Sequence, residues 1–433
     1  MSELPRGGIV RRIIASLSWD TPAHIALANV AASAIALITA PIIARSIGAA
    51  GRGETAAALA AFALVPIVLA IGMPTELRRV WATARADSLV RSFRDVAATM
   101  VIPAVGIAFA LSETLFRDLS TDSRIMVFIG VALAPLSVSW AGDVSVLVAT
   151  GRYRAVMLVR LLGPTAFLVG VGVAAISGAA TVATVLLANI LGTGVTWLAG
   201  LLLVRVSPIG PRASHTRLLR RGVTYAGSSV AEAATYRLDQ VIALPIIGAQ
   251  QAGFYSVAVT IGSIPIALGQ SLGAHYFRNV ANAPQSQRPA LTEEAMRVTI
   301  SSSLALCVLL AIVSPVLIPV IFGAEFQAAV TPTLVYLLGS VFMVCIVVST
   351  LLLAASGKGH VMTISQVSNL VVGLTLLVLL GPMLGAAGAA LASTISYIVL
   401  AMVQTKLLGA RLTSLTPTPR GVAAGIRTLV RRA

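Results

Sequence analysis

Apolar runs of about 20 residues recur along the chain from residue 23 to residue 407, the length of helix that crosses a hydrocarbon core about 30 Å thick. Strands of a membrane barrel alternate apolar and polar positions with period two, and these runs do not. Only helices or closed barrels satisfy every backbone group in lipid, so the pattern predicts an all-α integral membrane fold. Grouping the runs predicts twelve transmembrane helices: 23–46, 54–73, 95–112, 124–148, 155–177, 181–204, 222–247, 253–275, 297–321, 329–354, 360–381 and 386–407. The first run is too long for the apolar core of a signal peptide, about 7–15 residues, and reads as a retained helix.

Composition agrees: 57% of residues are hydrophobic and 11% charged, against roughly 25% charged in soluble domains. The net charge of +16 would suggest nucleic acid, but the basic residues occupy short connections between spans, where they set topology. Of 31 basic residues, 25 fall on the side of the N-terminus, four (Arg45, Arg52, Arg117, Arg124) on the other side, and Arg160 and Arg237 within spans. That split predicts a multi-pass protein of the cytoplasmic (inner) membrane with both termini in the cytoplasm. The expected parts are an amphipathic N-tail (1–22), a six-helix half (23–204), a basic linker (205–221), a second six-helix half (222–408) and a basic tail (409–433). In the tail, Val422, Ile426, Leu429 and Val430 share one helical face opposite Arg420, Arg427 and Arg431, a pattern that suits anionic lipid. Cys307 and Cys345 both lie inside spans and read as buried thiols.

The halves echo one another. Ile47-Gly48-Ala49 with Gly53 recurs as Ile247-Gly248-Ala249 with Gly253, and Pro66 and Gly72 are answered by Pro265 and Gly273. Leu147, Ala149, Thr150, Gly151 and Arg152 match Leu353, Ala355, Ser356, Gly357 and Lys358, and Gly178-Ala179-Ala180 matches Gly385-Ala386-Ala387. Each half has an even number of spans, so both start from the same side and the repeat is parallel. Two parallel six-helix halves around a central cavity form a transporter architecture, with substrate at their interface.

The stretch Arg45-Ser-Ile-Gly-Ala-Ala-Gly-Arg-Gly-Glu54, ending Ile71-Gly-Met-Pro74, resembles the N-terminal signature of bacterial polysaccharide flippases. Tyr236-Arg-Leu-Asp239, Ile247-Gly248 and Ala252-Gly-Phe-Tyr255-Ser-Val-Ala258 resemble their seventh-to-eighth span signature. The resemblance covers essentially the whole chain and extends to the multidrug/oligosaccharidyl-lipid/polysaccharide exporter superfamily. It implies transfer of an undecaprenyl-pyrophosphate-linked oligosaccharide from the cytoplasmic to the outer leaflet by alternating access. It would work beside glycosyltransferases and a polymerase of polysaccharide synthesis.

The seventh span concentrates the candidate chemistry. Ionisable groups in hydrocarbon cost about 2.5–3.5 kcal/mol each on insertion scales and mark functional sites. Tyr225, Ser229, Glu232, Tyr236 and Asp239 are spaced 4, 3, 4 and 3 and share one helical stripe. They are expected to line a cavity, or to satisfy one another across helix contacts. Arg237 lies about 200° around the helix from Asp239, so the two need separate partners. For Arg237 these are a pyrophosphate, which a planar guanidinium binds well, or an acid on another span. Tyr236, Arg45 and Arg160 join it as substrate-binding candidates. Glu232, Asp239 and Asp143 are coupling candidates for an ion such as H+ or Na+. Arg45 and Glu54 would bond each other or cap a helix, and Asp143 would otherwise make a local hydrogen bond. At an offset of 200, Glu232, Arg237 and Asp239 answer Ala32, Leu37 and Thr39, so the charge belongs to the second half alone.

Neither lysine closes a phosphate loop. The histidines have no zinc spacing, and no cofactor is expected. The leading function is a lipid-linked oligosaccharide flippase. An ion-coupled multidrug cation antiporter is the first alternative, separated from it by the charge of the cavity. A membrane polymerase or ligase is disfavoured by the short outer connections, and a non-transporting scaffold by the intramembrane charges.

Overall fold

A computed structural model describes residues 20, 21, 23–81 and 87–430. The order is α1 (Ala23–Ala70), α2 (Met73–Trp81), α3 (Asp87–Thr99), α4 (Val101–Glu113), α5 (Thr121–Ala132), α6 (Ala134–Ala149), α7 (Tyr153–Ile176), α8 (Val182–Val204), α9 (His215–Ile247), α10 (Ala249–Gly262), α11 (Ile266–Asn282), α12 (Arg288–Phe322), α13 (Val330–Ala355), α14 (Gly359–Leu407) and α15 (Pro419–Val430), with short 3-10 turns at Ala324–Ala329 and Leu412–Leu415. No strand occurs among the described residues. Apart from Asp20 and Thr21, the expected N-tail lies outside them.

Nine helical stretches among the described residues are long and apolar enough to cross a membrane. Each expected span falls on helix to within a few residues, but the chain is punctuated differently from the hydropathy. Expected spans one and two form the single run α1, bent at Gly48 (φ 71°), and spans eleven and twelve form α14, bent at Gly385 (φ 58°). An L side chain resists such left-handed dihedrals, so glycine marks the bends. The long helix α9 is too polar for the group of nine, because it carries Arg217, Arg220, Arg221, Glu232, Arg237 and Asp239. It also begins earlier than the expected span: Ser214 caps it by accepting from the Arg217 amide, so residues 215–221 of the expected linker are helical.

The echoes in sequence coincide in backbone. Gly48 and Gly248 (φ 71° and 79°), Gly151 and Gly357 (70° and 72°), and Gly178 and Gly385 (71° and 58°) are all left-handed. Gly72 (φ 67°) is left-handed and its counterpart Gly273 is not, being inside α11.

Burial divides into two large apolar cores. One is built mainly between Ala57 and Val206, around Met73, Leu77, Phe93 and Phe116. The other spans Ala243 to Leu408, around Tyr255, Leu272, Met296 and Phe326. The chain crosses between them reciprocally: Ala40, Ala44 and Ala49 of α1 pack in the second core, and Val241, Leu244 and Ala252 of α9 and α10 in the first.

Glycine permits both close approaches of the crossing. A Cβ on Gly53 would sit 2.0 Å from the Ala249 carbonyl oxygen, and one on Gly253 would sit 1.9 Å from that of Ala49. These residues are repeat counterparts, so the contact is pseudo-symmetric. Just beyond the far end of α1, a Cβ on Gly72 would lie 2.4 Å from the Gly222 oxygen of α9. Beside that contact the buried Glu76 carboxylate accepts two bonds from Arg79 (2.8 and 2.9 Å) and one from Arg221 of α9 (3.4 Å).

The tail forms α15, which docks on α12. Gly421 and Gly425 lie against Ser301 and Ser302, and the Thr418 amide donates to Ser301 Oγ at 2.9 Å. Cys307 and Cys345 are free and buried.

Candidate functional site

Arg237 projects from α9 into a cavity of about 380 Å3 whose other lining residues come from earlier in the chain. Ala36, Leu59, Phe62 and Ala63 of α1, Gly130 and Leu133 at the end of α5, and Leu136 of α6 form its apolar wall. Ser137 of α6, with Asn189 and Thr193 of α8, supplies polar groups. Asn189 and Thr193 are one helical turn apart, which puts both on one face. Arg237 is exposed and makes no hydrogen bond or ion pair with any described residue. Among the described residues it is the only ionisable group lining the cavity.

Asp239 turns the other way. It lines a small separate pocket within the second core, with Thr235, Asn369, Ser393, Ser396 and Tyr397. Tyr255 donates to its Oδ2 at 2.5 Å, and the same hydroxyl meets Ser393 Oγ at 2.8 Å. Tyr336 and Tyr397 continue the polar group, their hydroxyls 3.4 Å apart. Asn369 Oδ1 is buried there without a partner among the described residues.

The stripe on α9 therefore does not open as one surface into one cavity. Tyr225 stands at the Gly72 contact, and Ser229 bonds back to the Tyr225 carbonyl. Glu232 is exposed, Tyr236 packs against the second core, and the half-buried Asp239 bonds Tyr255 of that core. A helical wheel fixes angles but not neighbours, and α9 has neighbours on both sides.

The remaining candidates lie apart from the cavity. Arg45 does not bond Glu54; its guanidinium donates to the Ile321 carbonyl at 2.9 Å and to that of Val320, at the C-terminal end of α12. A cation there complements the helix dipole. Arg160 donates to Asn29 Oδ1 at 2.7 Å. Asp143 makes no merely local bond: it is 1% exposed and pairs with Arg94 at 2.7 Å. Gly200 leaves room for the carboxylate, since a Cβ there would sit 2.9 Å from Asp143 Oδ2. In the second half the counterpart Ser349 bonds Gln404 at 2.5 Å, a neutral pair where the first half has a charged one.

Residues 19–272 match the family described as polysaccharide biosynthesis protein. The chain belongs to that family. No protein of curated function matches it in sequence. Among solved structures it is similar to the lipid II flippase MurJ in an inward closed conformation, with TM-score 0.74 and 12% identity over 93% of this chain and 90% of that one. It is also similar to an inward-facing multidrug resistance MATE family transporter of the MOP superfamily (TM-score 0.67, 15% identity, 92% and 96% covered). A mutant of the Vibrio cholerae MATE transporter VcmN is a third (TM-score 0.59, 14% identity, 91% and 96% covered). The shared fold and the nine apolar helical stretches make this family member a multi-pass membrane protein.

The sequence reading missed Ser137, Asn189 and Thr193, which nothing in a small-residue-rich pattern separates from ordinary packing groups. Tyr255 stood in a quoted motif, but its bond to Asp239 spans 16 residues and a chain reversal.

Proposed function

We propose that this protein flips a polyprenyl-pyrophosphate-linked oligosaccharide from the cytoplasmic to the outer leaflet by alternating access, for cell-surface polysaccharide synthesis. The observation that carries the reading is the cavity's charge. The ionisable group that lines it is Arg237, unpaired among the described residues and faced by hydroxyl and amide groups that suit phosphate oxygens and sugar hydroxyls. A cationic drug would need an acid there, and Asp239 is engaged elsewhere. The antiporter reading rests on the fold shared with MATE transporters and has no such group in its favour. About 380 Å3 is space for a headgroup rather than for a long glycan, so the polyprenyl tail and distal sugars would extend beyond it.

Twelve spans in two parallel halves with cytoplasmic termini complete the proposal. The nine stretches become eleven when α1 and α14 are divided at their glycines, and α9 adds the twelfth. The Asp239 pocket is the place for a coupling proton or sodium ion. The basic face of α15 would rest on anionic lipid. Transport, and no chemical conversion, is the activity.

The test is export of a labelled lipid-linked sugar by proteoliposomes containing Arg237→Ala. The variant is expected to fold and to lose export. Export at the wild-type rate would remove the pyrophosphate role.

A further inference from the structure

Arg52 has no carboxylate partner among the described residues and lies beside the Gly53–Ala249 contact, outside the lining of the Arg237 cavity. It lies on α1 just beyond Gly48 and is 7% exposed. Its hydrogen bond to Thr260 crosses between the cores, from Nη2 to Oγ1 at 3.2 Å. Its Nε is buried with no partner among the described residues, and so is Thr55 Oγ1, one helical turn away and fully buried. A guanidinium has five N–H donors, and burying one unpaired costs several kcal/mol.

Closure does not require that cost. The pseudo-symmetric contact places Gly53 against Ala249 and Gly253 against Ala49. At the same offset the counterpart of Arg52 is Ala252, which packs in the first core with 4% exposure. One side of the contact thus closes with a methyl group where the other carries a guanidinium whose buried Nε has no partner among the described residues. The charge is an addition to the contact and not a part of its packing.

We propose that Arg52, with the hydroxyls of Thr55 and Thr260, forms a phosphoryl-binding station at the outer end of the interface, engaged when the helices part there. The charge count along the chain puts this end outside. The site rests on the flippase reading for its ligand, the pyrophosphate of the lipid-linked sugar. Arg237 would then hold that group in the closed cavity and Arg52 would receive it on the way out.

The test uses Arg52→Ala and Arg52→Lys in full-length protein reconstituted in phosphatidylcholine, with and without phosphatidylglycerol. Arg52→Ala is expected to fold with an unchanged or raised Tm, because an unpaired buried charge is removed. Its export of labelled lipid-linked sugar should fall roughly tenfold or more, as loss of charge-assisted hydrogen bonds implies. Binding of a polyprenyl pyrophosphate through Arg237 should persist, and Arg52→Lys should restore part of the export. Unchanged export, or a Tm that falls with export and is not rescued by lysine, overturns the station. A deficit confined to phosphatidylglycerol vesicles gives the site to a bilayer phosphate and overturns its role for substrate. If the wild type exports no lipid-linked sugar, the proposed function falls and inorganic pyrophosphate reads the site instead. Its stabilisation of Arg237→Ala protein should then vanish on adding Arg52→Ala, and stabilisation that survives overturns the site.

Discussion

Arg237 and Asp239 stand two residues apart on α9 and serve opposite sides of it. The arginine faces a cavity walled by α1, α5, α6 and α8, and the aspartate accepts a 2.5 Å hydrogen bond from Tyr255 inside the second core. The helix between them separates a cavity of about 380 Å3 from a pocket of about 20 Å3.

Arg237→Lys tests whether the cavity uses the fork of the guanidinium or only its charge. A lysine keeps the charge and loses bidentate geometry. Binding of a polyprenyl pyrophosphate, measured on purified protein, should weaken by roughly tenfold, less than for Arg237→Ala. Equal affinity for wild type and Lys would show that the fork makes no contribution.

Tyr255→Phe removes the donor to Asp239 and leaves a half-buried carboxylate short of one partner. That change should cost about 1–3 kcal/mol of stability. It should also alter the dependence of export on the ion gradient. Asp239→Asn should abolish that dependence while the protein still inserts. The measurement is export with imposed proton or sodium gradients, and an unchanged gradient response in Asp239→Asn would exclude it as the coupling group.

Gly253→Ala forces a methyl group to within 1.9 Å of the Ala49 carbonyl oxygen, where backbone cannot give way cheaply. Overpacking of this kind costs about 1–3 kcal/mol or more. Gly53→Ala should behave alike, since its Cβ would meet the Ala249 oxygen at 2.0 Å. Both variants should melt at lower temperature in detergent and expose this end of the interface to a thiol reagent through a reporter cysteine at Thr260. Protection equal to the wild type would show that the contact does not close that end.

Glu76 ties α2 to α9, and the hydrogen bonds from Arg79, reinforced by Arg221, hold its carboxyl below its ordinary value of 4.5 despite burial. A depressed folded-state value stabilises the fold above pH 4.5, and that stability is lost as the pH falls through the lowered value. Melting temperatures measured across this acid range should fall for the wild type and stay flatter for Glu76→Gln, which should begin lower at neutral pH. Parallel curves would show that other carboxylates control the acid transition.

The hydrophobic pattern by itself determined where the helices lie, because each run must satisfy its own backbone in lipid and needs a set length to do so. The glycine echoes pointed to the repeat, and at Gly48 and Gly248, Gly151 and Gly357, and Gly178 and Gly385 the paired positions share left-handed dihedrals that glycine adopts without strain. Composition and the paired motifs were enough to reach the polysaccharide biosynthesis family and a flippase-like fold. The sequence also separated Arg237 from Asp239, because two residues on a helix subtend about 200°.

Only the tertiary structure decided what each side chain meets. Asp143 finds Arg94 across 49 residues, and Arg45 finds the α12 carbonyls across 276 and 275, separations that carry no local signal. Arg52 stood in a quoted motif, but its burial beside Thr55 and Thr260 comes from the crossing of α1 and α10. Spacing along a helix sets direction, whereas partnership depends on which helix packs there, and that is fixed by close approaches such as Gly53 on Ala249.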